Sequence, residues 1–293
     1  MTRLTIRHET VYDYDQPVAF SPHRLMLRPR DSHASRLVNA SLELSPPGET
    51  RWVYDAMGNC VCWFSPQGEA RQLRITSHLT IDRYPAPLAP VQPHDPHTNM
   101  PIVYELNDRL VLSPFMTPAS EDADGAVLAW LRGHMGPPDE PVLDFLTRLN
   151  SAIHGQFGYV NRYVEGVQAP TETLALGSGA CRDLAWLMVE AVRQLGFAAQ
   201  FVTGYLYSPG GGSAVRGAGA THAWCQVFLP QLGWLEFDPT NGLVESPDLI
   251  QVGATRSPTE AAPVAGNLIG FPGNSRLSVS VEVYVDEQNP AAA

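Results

Sequence analysis

Nowhere in the sequence do 18 apolar residues run together, and the opening MTRLTIRHETVYDYD carries charges where a secretion signal needs its apolar stretch. A membrane-spanning helix is therefore not expected, and the expectation is a cytoplasmic protein with no membrane partner. Basic residues are also scarce, 19 Arg and Lys against 30 Asp and Glu for a net charge of -11, with nothing denser than a pair such as Arg28 and Arg30. Phosphate binding needs a basic footprint, so nucleic acid is excluded as a partner. Charged residues make up only 17% of the chain and apolar ones 44%, a balance that gives a dense globular protein rather than a disordered one. Four cysteines are too few for a disulfide scaffold in 293 residues, so in a reducing compartment each is either a buried apolar residue or a working thiol.

What is abundant is turn chemistry. The 24 glycines and 26 prolines point to short strands and many turns, and the length suggests two domains. Residues 1–85 read as strands, because Leu4, Ile6, Tyr12 and Tyr14 share one parity, as do Val38, Ala40, Leu42 and Leu44, and Leu73, Ile75, Leu79 and Ile81. The segment 55–59, Asp-Ala-Met-Gly-Asn, has hairpin-turn composition. A proline-rich stretch containing His94 and His97 then reads as an extended tether; the expected division is an all-β domain over 1–85, a linker over 86–120 and a second domain over 121–289.

Beyond the tether the period becomes helical. Val142, Phe145, Leu146, Leu149 and Ile153 mark one helix, with Gly155 placed to stop it, and 180–195 marks a second with one wholly apolar side. Glu121, Asp122 and Asp124 read as a capping segment for a helix over 126–132. Strands are expected at 199–207, 223–229, 234–238 and 277–285, with a loop of five glycines over 208–220. The whole is an α+β protein.

Cys181 opens the apolar helix after Gly177-Ser178-Gly179-Ala180, where unpaired N–H groups and the positive end of the helix dipole favour a thiolate and can hold an oxyanion. A lone cysteine at a helix start is ordinarily structural. His222, however, opens one strand and Asp238 closes the next, and a hairpin through 230–233 brings those ends together. A thiol needs a base, and the base needs a carboxylate to fix its tautomer; Cys181, His222 and Asp238 supply all three. Cys60 and Cys62 lack further ligands, Cys225 reads as core, and neither a Cys-x-x-Cys pair nor a His-Glu-x-x-His motif is present, so no metal or other cofactor is expected.

The runs Gly179-Ala-Cys181-Arg-Asp183-Leu-Ala-Trp-Leu, Gly204-Tyr-Leu206, His222-Ala-Trp224 and Gly233-Trp-Leu-Glu-Phe-Asp238-Pro-Thr-Asn-Gly242 together resemble the bacterial transglutaminase-like family, often described as cysteine proteases. The β-rich first third also resembles the domain that precedes the core in many bacterial members. The resemblance implies a sandwich-like N-terminal domain and a papain-like core, with a cysteine helix packed on an antiparallel sheet. It also implies Cys181 as nucleophile, His222 as base and then acid, and Asp238 as orienting carboxylate in a thioester mechanism on protein or peptide amides, without calcium. Tyr159 and Trp224 are the aromatics to consider for substrate binding or a second oxyanion donor, and Asp183 reads as structural support. Ala198-Ala199-Gln200 departs from the Pro-Ala-Arg of many relatives. Hydrolysis is slightly favoured over cross-linking. A catalytically silent scaffold, and a small-acyl transferase like the arylamine N-acetyltransferases, are the alternatives.

Overall fold

The computed structural model describes residues 1–84, 99–162, 164–208, 215–217 and 219–285. Most of the expected tether, with His94 and His97, part of the glycine-rich loop and the tail after Asn289 lie outside the described residues. The chain begins with six strands, β1 (Thr2–Phe20), β2 (His23–Arg28), β3 (Ser35–Ser45), β4 (Gly48–Tyr54), β5 (Cys60–Pro66) and β6 (Ala70–Arg83). Three helices follow, α1 (Leu106–Met116), α2 (Ala126–Arg132) and α3 (Val142–Gln156), then β7 (Gly158–Tyr159), α4 (Pro170–Leu176), β8 (Ser178–Gly179) and α5 (Cys181–Gln194). Strands resume with β9 (Ala199–Leu206), β10 (His222–Leu229), β11 (Gly233–Asp238), β12 (Leu243–Val244) and β13 (Leu249–Thr255). They end with β14 (Val264–Ala265), β15 (Leu268–Ile269) and β16 (Ser275–Val285).

Two antiparallel sheets form the N-terminal sandwich. In one, β3, β6 and β1 lie side by side and β16 pairs along the free side of β1; in the other the order is β14-β2-β5-β4. Their inward side chains, Val18, Phe20, Leu25, Leu27, Cys62, Phe64, Leu73 and Ile75, make a common core. The hairpin of β4 and β5 turns through 55–59, where the Asp55 carboxylate accepts the N–H groups of Met57 and Asn59. On β3 the expected parity fails at one residue: the register shifts between Leu37 and Asn39, so Leu37 packs inward and Val38 is turned out to 45% exposure.

The second half is a five-stranded antiparallel sheet, β12-β11-β10-β9-β13, with α5 laid across one face. Alternation decides which residues meet the helix: Ala223, Cys225 and Val227 of β10 and Leu235 and Phe237 of β11 pack against Leu184, Leu187, Met188 and Val192. Each large aliphatic side chain buried there contributes about 1.5–3 kcal/mol relative to exposure. Asp122 accepts the N–H groups of Val127 and Leu128, acting as the capping acid for α2.

The strand content divides differently from the expected ranges. β14, β15 and β16 follow the core sheet in sequence yet pair with β2 and β1, because their apolar residues complete the N-terminal sheets. α1 occupies part of the stretch expected as linker, held by Leu112 against Tyr104 and Ala198. α3 runs past Gly155 to Gln156, since Phe157 still donates its N–H to the Ile153 carbonyl. A further cluster, Leu4, Ile6, Leu79, Ile81 and Val281 with Tyr205, Ile250 and Val252, joins the sandwich to the core sheet.

Candidate active site

The geometry starts at the first turn of α5. Ala180 is extended (φ -80, ψ 172), and its carbonyl receives the N–H groups of Asp183 and Leu184. The N–H groups of Cys181 and Arg182, one turn too early for an intrahelical partner, are available to an anion. Asp183, fully buried, accepts the Ala180 N–H on its carboxylate at 2.8 Å, the half of a capping box that an alanine cap permits. The same carboxylate accepts the Gln168 N–H at 2.8 Å and the Arg162 guanidinium at 2.7 and 2.8 Å. Arg182 reaches the carbonyls of Arg162, Val164 and Gly166. Together they bind the stretch after β7 to the start of the cysteine helix, while β7 pairs in parallel with β8 and sets Tyr159 opposite Gly179.

His222 and Asp238 meet as the hairpin allows. Cys225 faces Phe237 in the ladder, which brings Asp238 opposite Trp224; His222, two residues before Trp224, lies on the same face, and its Nε2 lies 2.9 Å from Asp238 Oδ2. Both side chains are fully buried. With Nε2 committed to the carboxylate, Nδ1 is the nitrogen left for Cys181; it makes no formed hydrogen bond among the described residues, and the sulfur lies within interaction range of the ring. Burial opposes charge on the imidazole, but the Asp238 charge and hydrogen bond, with Cys181, outweigh it and hold the ring protonated well above the usual histidine range. Burial likewise works against the Asp238 anion; the His222 charge and bond, Asn241 and the Thr240 N–H reverse this and keep its carboxyl below the ordinary value. Oδ1 accepts Thr240 N–H and Oδ2 also accepts Asn241 Nδ2–H, each at 2.9 Å.

Gly204 and Gly217 admit close approaches. Gly204 lies opposite His222 in the sheet, and a Cβ there would fall 2.7 Å from the Trp224 ring and closer still to the Ile250 carbonyl. Gly217, at φ +86, would carry a Cβ 3.1 Å from His222 Nδ1 and 3.5 Å from the Tyr159 hydroxyl. Tyr159 is thus a neighbour of His222 across Gly217, half-buried and donating its hydroxyl to Asn161 Oδ1 at 3.1 Å. Trp224 sits behind the histidine, its ring stacked at 6.0 Å and wholly buried, and its N–H is spent on Glu236 Oε1 at 3.1 Å. Burial, then the Glu245 charge, raise the Glu236 carboxyl to about 7, against the bonds from Trp224 and Gln226 and the charge of Arg83.

The other thiols sit in a different setting. Burial raises the thiol of Cys60, that of Cys62 to about 11 and that of Cys225 further. Among the described residues no three His, Cys, Asp or Glu side chains gather as metal ligands. Nor is any helix of these residues long and apolar enough to cross a membrane. Arg162 and Asn241 escaped the sequence reading. Arg162 gives no signal, because its partner lies 21 residues away; Asn241 stands in the quoted Asp-Pro-Thr-Asn-Gly run, with only its distance of three residues from Asp238 as a pointer.

Residues 4–82 match the model of the bacterial transglutaminase-like N-terminal region, and residues 129–239 match that of the transglutaminase-like superfamily. An uncharacterized protein of Mycobacterium tuberculosis is 31% identical over 300 residues, covering 96% of this chain and 92% of that protein. The chain belongs to the transglutaminase-like superfamily. An uncharacterized protein of Mycobacterium leprae is 25% identical over 289 residues, 97% of this chain and 99% of that one. Among solved structures, the "Putative Cysteine Protease from Cytophaga hutchinsonii" superposes with a TM-score of 0.73 at 17% identity, over 97% of this chain and 90% of that chain. It shares the fold: an N-terminal β region followed by helices packed on antiparallel sheets. Transglutaminase-like proteins form a family of thiol enzymes.

Proposed function

We propose that this transglutaminase-like protein is a cysteine-dependent amide hydrolase or acyltransferase acting on a protein or peptide through Cys181, His222 and Asp238. The observation that carries the reading is the buried His222–Asp238 bond of 2.9 Å, which leaves Nδ1 as the ring nitrogen free to serve the thiol. The Cys181 proton passes to His222 before attack, giving a thiolate beside a protonated ring; Sγ then attacks the amide carbon, and the developing oxyanion is met by the Cys181 N–H at the head of α5. The C–N bond then breaks, His222 gives its proton to the leaving nitrogen, and a thioester remains. Water or a primary amine, deprotonated by His222, next attacks the thioester and releases the thiol. Asp238 holds the imidazole in one tautomer and stabilises its charged form throughout. Of the two aromatics considered, Tyr159 is the one whose polar tip faces the His222 and Gly217 side, which favours it over Trp224 for contact with substrate.

Hydrolysis is slightly favoured over cross-linking, because water at ~55 M wins unless a site excludes it. The sequence contains no lysine, its 19 basic residues all being arginine, so a transamidation must take its side-chain amine from another molecule. We place the reaction in the cytoplasm, a reading supported by four cysteines that remain free thiols. The deciding experiment is incubation with an unstructured glutamine-rich protein, with and without a biotinylated primary amine, read by mass spectrometry. Deamidated or cleaved products, or incorporated amine, each absent in Cys181→Ala, support a thiol enzyme and sort its branches. No product from any peptide amide, together with ordinary Cys181 alkylation, favours a scaffold that keeps the fold.

A further inference from the structure

The Asp238 carboxylate has, besides His222, a second side-chain partner that the triad reading leaves without a role. Asn241 stands in the turn between β11 and β12, and its amide Nδ2 donates to Asp238 Oδ2 at 2.9 Å and to the Arg216 carbonyl at 3.2 Å. Its Oδ1 accepts the Arg216 N–H at 2.9 Å. Both amide hydrogens and the oxygen are therefore used, two of the bonds reaching 25 residues away, which separates this arrangement from a local asparagine turn. Arg216 precedes Gly217, the residue that lies against His222 Nδ1 and the Tyr159 hydroxyl. Thus one planar amide grips the orienting carboxylate on one side and, on the other, the backbone that walls the reacting side of the imidazole.

We propose that Asn241 is a positioning residue of the site, fixing the rotation of the Asp238 carboxylate and the seat of Arg216 and Gly217 beside His222. The inference rests on the triad reading and deepens it. The chemistry specifies the residue type. Aspartate has the volume but no N–H to give, serine is too short to span both partners, and glutamine adds a methylene that shifts the amide plane. An asparagine is the side chain that donates twice and accepts once at this length.

The test is the rate of Cys181 alkylation by iodoacetamide, resolved by mass spectrometry from pH 5 to 9, in the full chain and in His222→Ala, Asn241→Ala and Asn241→Asp. Melting curves are recorded in parallel. Both Asn241 variants are expected to label about tenfold more slowly at pH 6.5 and to move the acid limb of the profile to higher pH, toward that of His222→Ala. Asn241→Asp matters most, because it preserves volume and the acceptor for Arg216 N–H while losing both donors. Wild-type rates and an unmoved acid limb in folded Asn241→Asp overturn the inference, as does a loss of melting temperature alone. A wild-type profile in His222→Ala overturns the triad itself, whatever the Asn241 variants do.

Discussion

A histidine sealed beside a carboxylate changes what pH does to the fold. The folded His222 ring holds its proton above the unfolded value near 6.5, so its contribution is complete below that pH and is lost as pH rises through the raised value. Asp238, lowered in the folded state, contributes above the ordinary carboxylate range and is lost as pH falls through its depressed value. His222→Gln should therefore melt below the wild type by about 2–3 kcal/mol at pH 6, and the gap should narrow toward pH 10, measured by calorimetry. Cys181, at a helix head beside this ring, should alkylate at neutral pH at least about tenfold faster than Cys60, Cys62 or Cys225, whose thiols burial pushes upward. Equal rates at all four would count against an activated pair. The meeting of His222 with Asp238 was legible in the sequence because each sits at the end of a strand, where a hairpin sets proximity. Asn241 and Arg162 were not, since a polar residue in a loop does not announce a partner 20 or more positions away.

Elements carry the site through two buried carboxylates. In α5, Asp183 satisfies Ala180 and Gln168 backbone donors and the Arg162 guanidinium at once. Asp183→Ala should cost about 3–5 kcal/mol in chemical unfolding and slow Cys181 labelling, because the helix head loses its clamp. In β11, Glu236 is neutral more readily folded than unfolded, so it is indifferent below about pH 4.5 and costs stability as pH rises through about 7. Glu236→Gln keeps an acceptor for Trp224 and should raise the melting temperature by about 4 °C at pH 8 and leave it unchanged at pH 4. The helix and hairpin were readable from periodicity: 180–195 was expected and Cys181–Gln194 is found. The bulge that turns Val38 outward was not, because an extra residue changes parity without changing composition.

At the scale of the molecule, the sandwich and the core sheet meet through a polar contact as well as an apolar one. His8 Nδ1 and the Tyr205 hydroxyl lie 3.1 Å apart, and burial lowers the His8 ring to about 4. The unfolded chain takes up this proton first, so stability should fall as pH drops from about 6.5 to 4, and His8→Gln should flatten that decline in melting curves. The ladder of β1 with β16, from Leu4 against Val285 to Tyr14 against Ser275, was invisible in advance, because period two marks strands but not their partners. That ladder also imposes an order of events during synthesis. β1 leaves the ribosome before β16, so one edge of β1 stays open while the core sheet between them is made, for on the order of 20 s at typical elongation rates. An uncovered edge is a template for pairing with other chains. Until β16 pairs along it, that side of β1 offers its unpaired backbone to any neighbouring chain.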